Sequence, residues 1–155
     1  AFITAFLALA GILIGIQQIS VIPPAFLTLV NEIFTVKTIA LIMTLVLPVS
    51  AFFSAVLLGL SIYAKSFKEA QSIVAPLNIV IIFPAVIGTL PGIELNMITS
   101  LIPILNVSLA SKDIIAGVIN PIYMTEVYLS LFGFAALSLY WCVRSFNKES
   151  TIFRN

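Results

Sequence analysis

Asn78, Glu94, Asn106 and Glu126 are the residues of this chain whose types could do chemistry where they stand, because each lies in or beside a long apolar run. An ionisable side chain inside a membrane costs about 2.5–3.5 kcal/mol on insertion scales, so one kept there marks a candidate route for ions or protons. Glu126 falls about one turn into the apolar run Ile122–Val143, Glu94 opens an interrupted segment, and Asn78 lies between Pro76 and Pro84. These four form the candidate substrate pathway, with Glu94, Asn106 and Glu126 expected to converge at the outer end of a cavity. The competing reading is that Glu94 and Glu126 only snorkel to the outer interface. Asp113 beside Lys112 is expected to be a surface pair and not a proton relay.

Other chemistries lack their residues. The chain has no histidine, so a serine triad loses its base and a His-bound metal loses its ligands. Asp113 is the sole aspartate, which excludes a paired-aspartate site. No glycine-rich phosphate loop is present, so the chain cannot hydrolyse a nucleotide itself. Cys142 stands alone beside Trp141 and reads as a plain membrane-embedded thiol. No catalytic residue, metal site or cofactor is expected, and no enzyme activity of the chain's own. Seven cations spread over 155 residues cannot track a phosphate backbone, so no nucleic acid is expected as a partner.

The elements that must position these residues are membrane helices. The chain is 61% hydrophobic and 8% charged, where a soluble domain carries about a quarter charged residues, and its mean hydropathy is +1.23. Four runs suffice to cross a bilayer whose core takes about 20 helical residues: Ala1–Ile19, Thr38–Tyr63, Ser72–Leu90 and Ile122–Val143. Pro23–Pro24 stops the first, and Phe26, Leu27, Leu29, Val30, Ile33 and Phe34 then recur at helical spacing. That stretch reads as a short interfacial helix, or else as an extension of the second span. The chain opens at Ala1 within an apolar run, without a basic leader, and is expected to be the C-terminal part of something longer.

Charge sets the direction. Lys65 and Lys68 lie between the second and third runs, and Arg144, Lys148 and Arg154 follow the fourth, leaving only Lys37 and Lys112 elsewhere. The positive-inside rule puts the Lys65 turn and the C-terminus in the cytoplasm. Both assignments hold only if the stretch from Leu90 to Pro121 makes no net crossing. That stretch is apolar at Met97–Leu105 and Val107–Ala110, yet interrupted by Pro91, Gly92, Pro103, Gly117 and Pro121. Irregular backbone at membrane depth survives where protein or a water-filled cavity satisfies it. The expectation is therefore an all-α polytopic bundle of four spans with a re-entrant outer helical hairpin, as one transmembrane domain over residues 1–155. One more full span, Met97–Gly117, is the alternative, and it would put the C-terminus outside.

Lys65-Ser-Phe-Lys-Glu-Ala-Gln71 is a compact charged turn between two spans, with Phe67 at its middle. It reads either as a plain cytoplasmic turn or as an element that docks into a soluble partner.

Five blocks occur in sequence: Lys65-Ser-Phe-Lys-Glu-Ala-Gln-Ser72, Phe83-Pro-Ala85, Leu90-Pro-Gly-Ile-Glu-Leu-Asn96, Leu101-Ile-Pro-Ile-Leu-Asn-Val-Ser-Leu109 and Arg144-Ser-Phe-Asn-Lys-Glu-Ser-Thr-Ile-Phe-Arg154. In that order and spacing, from Ile62 to Arg154, the chain resembles the C-terminal half of ABC-2 type transporter permeases of the sodium-extrusion (NatB) kind. The N-terminal third matches only in hydropathy. The resemblance implies a six-span permease of the plasma (inner) membrane, embedded in lipid, whose first spans and external domain precede this stretch. It also implies an ABC ATP-binding subunit, a second permease copy forming a dimer, and export driven by ATP, with sodium as first substrate. Lys65, Phe67, Lys68 and Glu69 would then couple to the ATPase. The alternatives are an ABC-2 permease for another substrate, a drug, lipid or peptide, and a non-transporting membrane scaffold subunit. Gly11 and Gly15 form a G-x-x-x-G suited to helix packing in either case, and no channel selectivity motif is present.

Overall fold

Apolar runs of this length become helices because lipid offers no partner to a backbone N–H or C=O, and a helix satisfies both within itself. The computed structural model describes residues 2–18 and 23–152, and among them every regular element is helical. The helices are α1 (Phe2–Gln18), α2 (Pro24–Ile33), α3 (Val36–Ser61), α4 (Phe67–Thr89), α5 (Leu105–Ala116) and α6 (Pro121–Ile152), with a short 3-10 turn at Thr99–Leu101.

Three helices are long and apolar enough to cross a membrane: α3, α4 and, over Pro121–Asn147, α6. At 1.5 Å per residue the 26 residues of α3 reach about 39 Å and the 23 of α4 about 35 Å. The 17 residues of α1 reach about 26 Å, short of a hydrocarbon core of about 30 Å, and Ala1 and Ile19 of the expected first span lie outside the described residues. Three spans rather than four are thus long enough among the described residues. Nor is Met97–Gly117 one continuous helix: its regular part is α5, whose 12 residues cover about 18 Å.

Local chemistry sets the boundaries. The Thr35 hydroxyl accepts from Thr38 N at 3.2 Å, capping α3 and separating it from α2, so α2 is a helix of its own. The turn before α4 is a capping box displaced by one residue: Ser66 Oγ accepts from Glu69 N at 3.3 Å, while Glu69 Oε2 accepts from Lys65 N, the residue before the N-cap, at 2.9 Å. Gly117 closes α5 at φ +72°, a left-handed cap that glycine adopts without strain. Asn120 Oδ1 then accepts from Ile122 N at 3.0 Å at the start of α6.

The contacts between helices fix their directions. Thr44 and Tyr128 share a hydroxyl hydrogen bond at 2.5 Å, the rings of Phe52 and Phe134 lie 6.2 Å apart, and Gly59 faces Trp141. Numbers rise together along both helices, so α3 and α6 run parallel, and they form the most extensive packing in the molecule. Against α4 the order reverses, because Leu57 and Leu60 meet Ala70 and Val74 whereas Phe52 and Phe53 meet Leu77 and Val80. The chain between α4 and α6 therefore leaves and returns at one end of the bundle. At the other end lie the Lys65 turn and the stretch of α6 from Arg144 onward. The core gathers Leu45 of α3, Leu105, Leu109 and Ile114 of α5, and Val127 and Leu131 of α6.

Candidate functional site

Leu90-Pro-Gly-Ile-Glu94 cannot continue α4, because Pro91 forces the residue before it out of the helical region. Leu90 accordingly turns to extended geometry, with ψ 144°. Asn96 then shapes the descent: its Oδ1 accepts from Ile98 N at 2.9 Å and Thr99 N at 3.0 Å, while Thr99 Oγ1 donates to Glu94 O at 3.0 Å. The chain bottoms out at Ile102–Ile104, which line an apolar cavity of about 250 Å³ together with Phe52, Phe53, Leu77 and Val80. Those partners sit near the middles of α3 and α4, so the tip reaches mid-bundle depth before α5 climbs back. Ile104 takes φ +74°, a strained value for a β-branched residue that costs on the order of 1–3 kcal/mol.

Around this tip the polar side chains meet. Asn106, on the first turn of α5, is fully buried and donates through Nδ2 to Ser100 O at 2.9 Å and to Ser130 Oγ at 3.4 Å. Ser100, also fully buried, donates from its hydroxyl to Glu126 Oε2 at 2.8 Å, with Met97 O an alternative acceptor at 3.1 Å. The Ser130 hydroxyl donates to Leu101 O at 3.1 Å. One face of α6 thus anchors the irregular backbone at two depths, Glu126 above and Ser130 below, with Asn106 between. The Asn106 Oδ1 atom is buried and has no hydrogen-bond donor.

Of the four pathway residues read from sequence, Asn106 and Glu126 come together, joined through Ser100. Glu94 does not join them. It is exposed beside Lys112 and Asp113, where Lys112 Nζ donates to Ile93 O at 3.2 Å. Burial pushes the Asp113 carboxyl above the usual carboxylate range; Lys112 opposes that rise and Glu94 adds to it. Asn78 stands apart, exposed at the midpoint of α4. Ser100 and Ser130 escaped the sequence reading because serine is too common to mark a site, and their partners lie 24–29 residues away.

The return helix is clamped to α4 by a close approach at Gly88. A Cβ built there would lie 2.6 Å from Ser108 Cβ, and Ser108 Oγ donates to Ala85 O at 3.0 Å. Gly11 and Gly15 of α1, in contrast, have no atom of another element among the described residues within 4 Å of where a Cβ would sit, so among those residues their motif packs against nothing.

At the opposite end, Phe67 is 81% exposed and projects from the first turn of α4. Lys65 and Lys68 are exposed beside it. Glu69 has a structural task in the capping box, which the charge reading of that turn overlooked. No group of three or more His, Cys, Asp or Glu that could hold a metal ion occurs among the described residues. No family model, curated protein or solved structure matches the chain.

Proposed function

We propose that this chain is the permease part of an ATP-driven exporter of the ABC-2 kind, lying in the plasma (inner) membrane with its Lys65 turn and C-terminus cytoplasmic. On this reading Leu90–Pro121 is a re-entrant hairpin entering from the outer face. The observation that carries it is the interrupted chain between α4 and α6, which descends to mid-bundle, meets a buried polar network and returns to the end where it began. A bundle whose only task is to anchor gains nothing from backbone breaks at mid-bundle and an acid one turn into a span, where each polar group must be satisfied. A bundle that passes polar cargo needs both.

Sodium is the cargo we assign, with Asn106 and Glu126 on its route, Glu94 at the outer mouth and Asn78 facing the second copy of a dimer. The Lys65–Gln71 turn is the contact for the ATP-binding subunit. Its support is the exposure of Phe67 on a helix end made rigid by the capping box, since an aromatic anchor often dominates such an interface. The second reading, a membrane scaffold, is favoured by the exposed surface of α4 and by the unpacked Gly11–Gly15 face. Co-purification of the full-length protein with its ATPase separates the two. An exporter predicts that Phe67→Ala weakens association and lowers stimulated ATP turnover while membrane insertion is unchanged. Unchanged association and turnover in that variant would remove the docking role.

A further inference from the structure

Away from the polar network, at the end of the bundle where the hairpin leaves and returns, α2, α4 and α5 enclose a cavity of about 680 Å³. Ile33 of α2, Gly88 of α4, and Ile115 and Ala116 of α5 give it largely apolar walls. Its volume falls in the range of about 300–1,000 Å³ found for small-molecule sites. One stripe of α5 faces it, because Ser108, Ser111, Lys112 and Ile115 recur at helical spacing and all line the cavity. None of Asn78, Glu94, Asn106 and Glu126 does.

Two hydrogen-bond donors on that stripe lack acceptors. Helical serines commonly return their hydroxyl to a carbonyl one turn back, as Ser61, Ser138 and Ser145 do here. The half-buried Ser111 does not, and its hydroxyl has no partner among the described residues. Lys112 Nζ carries three N–H and commits one of them to Ile93 O at 3.2 Å. Asp113 and Glu94 are its acidic neighbours, but neither lines the cavity. The other two hydroxyls on the wall are taken, Ser108 donating to Ala85 O and Thr89 to Val86 O. Water could meet the unused donors only by wetting the apolar walls. A molecule with an apolar body and one anionic end satisfies both.

We infer that this cavity binds a long-chain carboxylate, its head held by Lys112 Nζ and Ser111 Oγ and its alkyl chain lying against Ile33, Gly88 and Ile115. One cation and one hydroxyl match the single charge and two oxygens of a carboxylate. A phosphate brings a further oxygen, for which the wall has no donor left, and a second charge that Asp113 and Glu94 repel. Lys112 is exposed, so the head keeps contact with water while the chain stays in apolar surroundings. The ligand also has a structural effect. α2 packs only sparsely on the other helices, and an alkyl chain between Ile33 and α5 seats it. The ligand is resident on the flank of the bundle and separate from the cargo.

The test is equilibrium binding of radiolabelled hexadecanoate to the delipidated full-length protein in detergent, measured above protein-free micelles. Unlabelled hexadecanoate, hexadecanol and hexadecyl phosphate, which share one chain length, are the competitors. Saturable binding of one hexadecanoate per chain is expected. Hexadecanol should displace it at least tenfold less well, because the alcohol loses the charge-assisted hydrogen bond. Lys112→Gln is expected to raise the Kd at least tenfold, and Lys112→Arg, which keeps the charge, to hold it within about threefold. Ala116→Trp fills the space of the chain and leaves both donors in place. It is expected to weaken acid and alcohol alike, and it keeps the proposal open to refutation if Lys112→Gln does not fold. The site is overturned by the absence of saturable binding, by equal displacement with hexadecanol, or by undiminished binding in the folded Lys112→Gln or Ala116→Trp protein. Hexadecyl phosphate competing as well as hexadecanoate overturns the carboxylate assignment. No ion flux enters this measurement, so the site and the exporter reading stand or fall separately.

Discussion

Replacing Gly88 by alanine should pry α5 away from α4. The new Cβ would lie 2.6 Å from Ser108 Cβ and 2.5 Å from Ser108 Oγ, with Leu105 Cδ1 at 3.5 Å. Carbon atoms in contact prefer about 3.5–4.0 Å, so the helices must part by roughly 1 Å. The Ser108 Cβ is fixed to its own backbone and cannot swing aside as a side-chain tip would. Forcing extra volume into a packed contact costs about 1–3 kcal/mol. Separation also stretches the 3.0 Å bond from Ser108 Oγ to Ala85 O, worth about 0.6 kcal/mol between membrane helices. Alanine's better helix propensity returns up to about 1 kcal/mol. The net loss is on the order of 1–3 kcal/mol, or about 2–10 °C in the melting midpoint. Gly133→Ala is the control, since nothing lies within 4 Å of its Cβ position, and it should leave the midpoint unchanged or slightly higher. Ser108→Gly should restore the space in a double variant, whereas Ser108→Ala, which keeps the offending carbon, should not. A Gly88→Ala protein as stable as wild type, or rescue by Ser108→Ala, would refute the close crossing.

Asn106→Ala should cost about 2–4 kcal/mol in thermal or denaturant unfolding, because it strips the Ser100 carbonyl of its buried donor and opens a cavity. Glu69→Ala should fray the start of α4 at a cost of about 1 kcal/mol, read as faster amide exchange at Lys65–Gln71, while Phe67→Ala leaves that exchange unchanged. Cysteines replacing Ser66 and Ser150 in a Cys142→Ala background should react with an impermeant thiol reagent from the same side of the membrane, the cytoplasmic one. Because the folded Asp113 carboxyl titrates above its ordinary value, folding favours its protonated form, and stability should fall as pH rises from about the unfolded value of 3.8 through the folded one. Asp113→Asn should flatten that part of a pH–midpoint curve.

Helix positions were legible from hydropathy, and helix ends were not. The second run, Thr38–Tyr63, matches α3 at Val36–Ser61 within two residues, because apolarity and capping stop together there. The third was placed from Ser72, yet α4 starts at Phe67, since Lys68, Glu69 and Gln71 read as a loop by polarity while Ser66 and Glu69 cap a helix. The fourth was ended at Val143, but α6 runs on to Ile152, because a helix leaving an apolar layer needs only its own hydrogen bonds to continue. At the site, Asn106 and Glu126 were visible as polar residues in the wrong solvent. Ser100 and Ser130 were invisible, because their importance lies in contacts made across the fold. Glu94 does not join them: it lies exposed just past Pro91 and Gly92, where the chain leaves α4, and Lys112 bonds the carbonyl of its neighbour Ile93.

Whether this chain exports sodium is decided in vesicles containing the full-length protein and its ATPase, with the nucleotide sites facing the medium. Radioactive sodium accumulation on adding ATP is the quantity to measure. Accumulation is expected to require ATP, to fall at least tenfold in Glu126→Gln, and to be absent from vesicles lacking the permease. ATP hydrolysis without sodium accumulation above those empty vesicles would contradict sodium export.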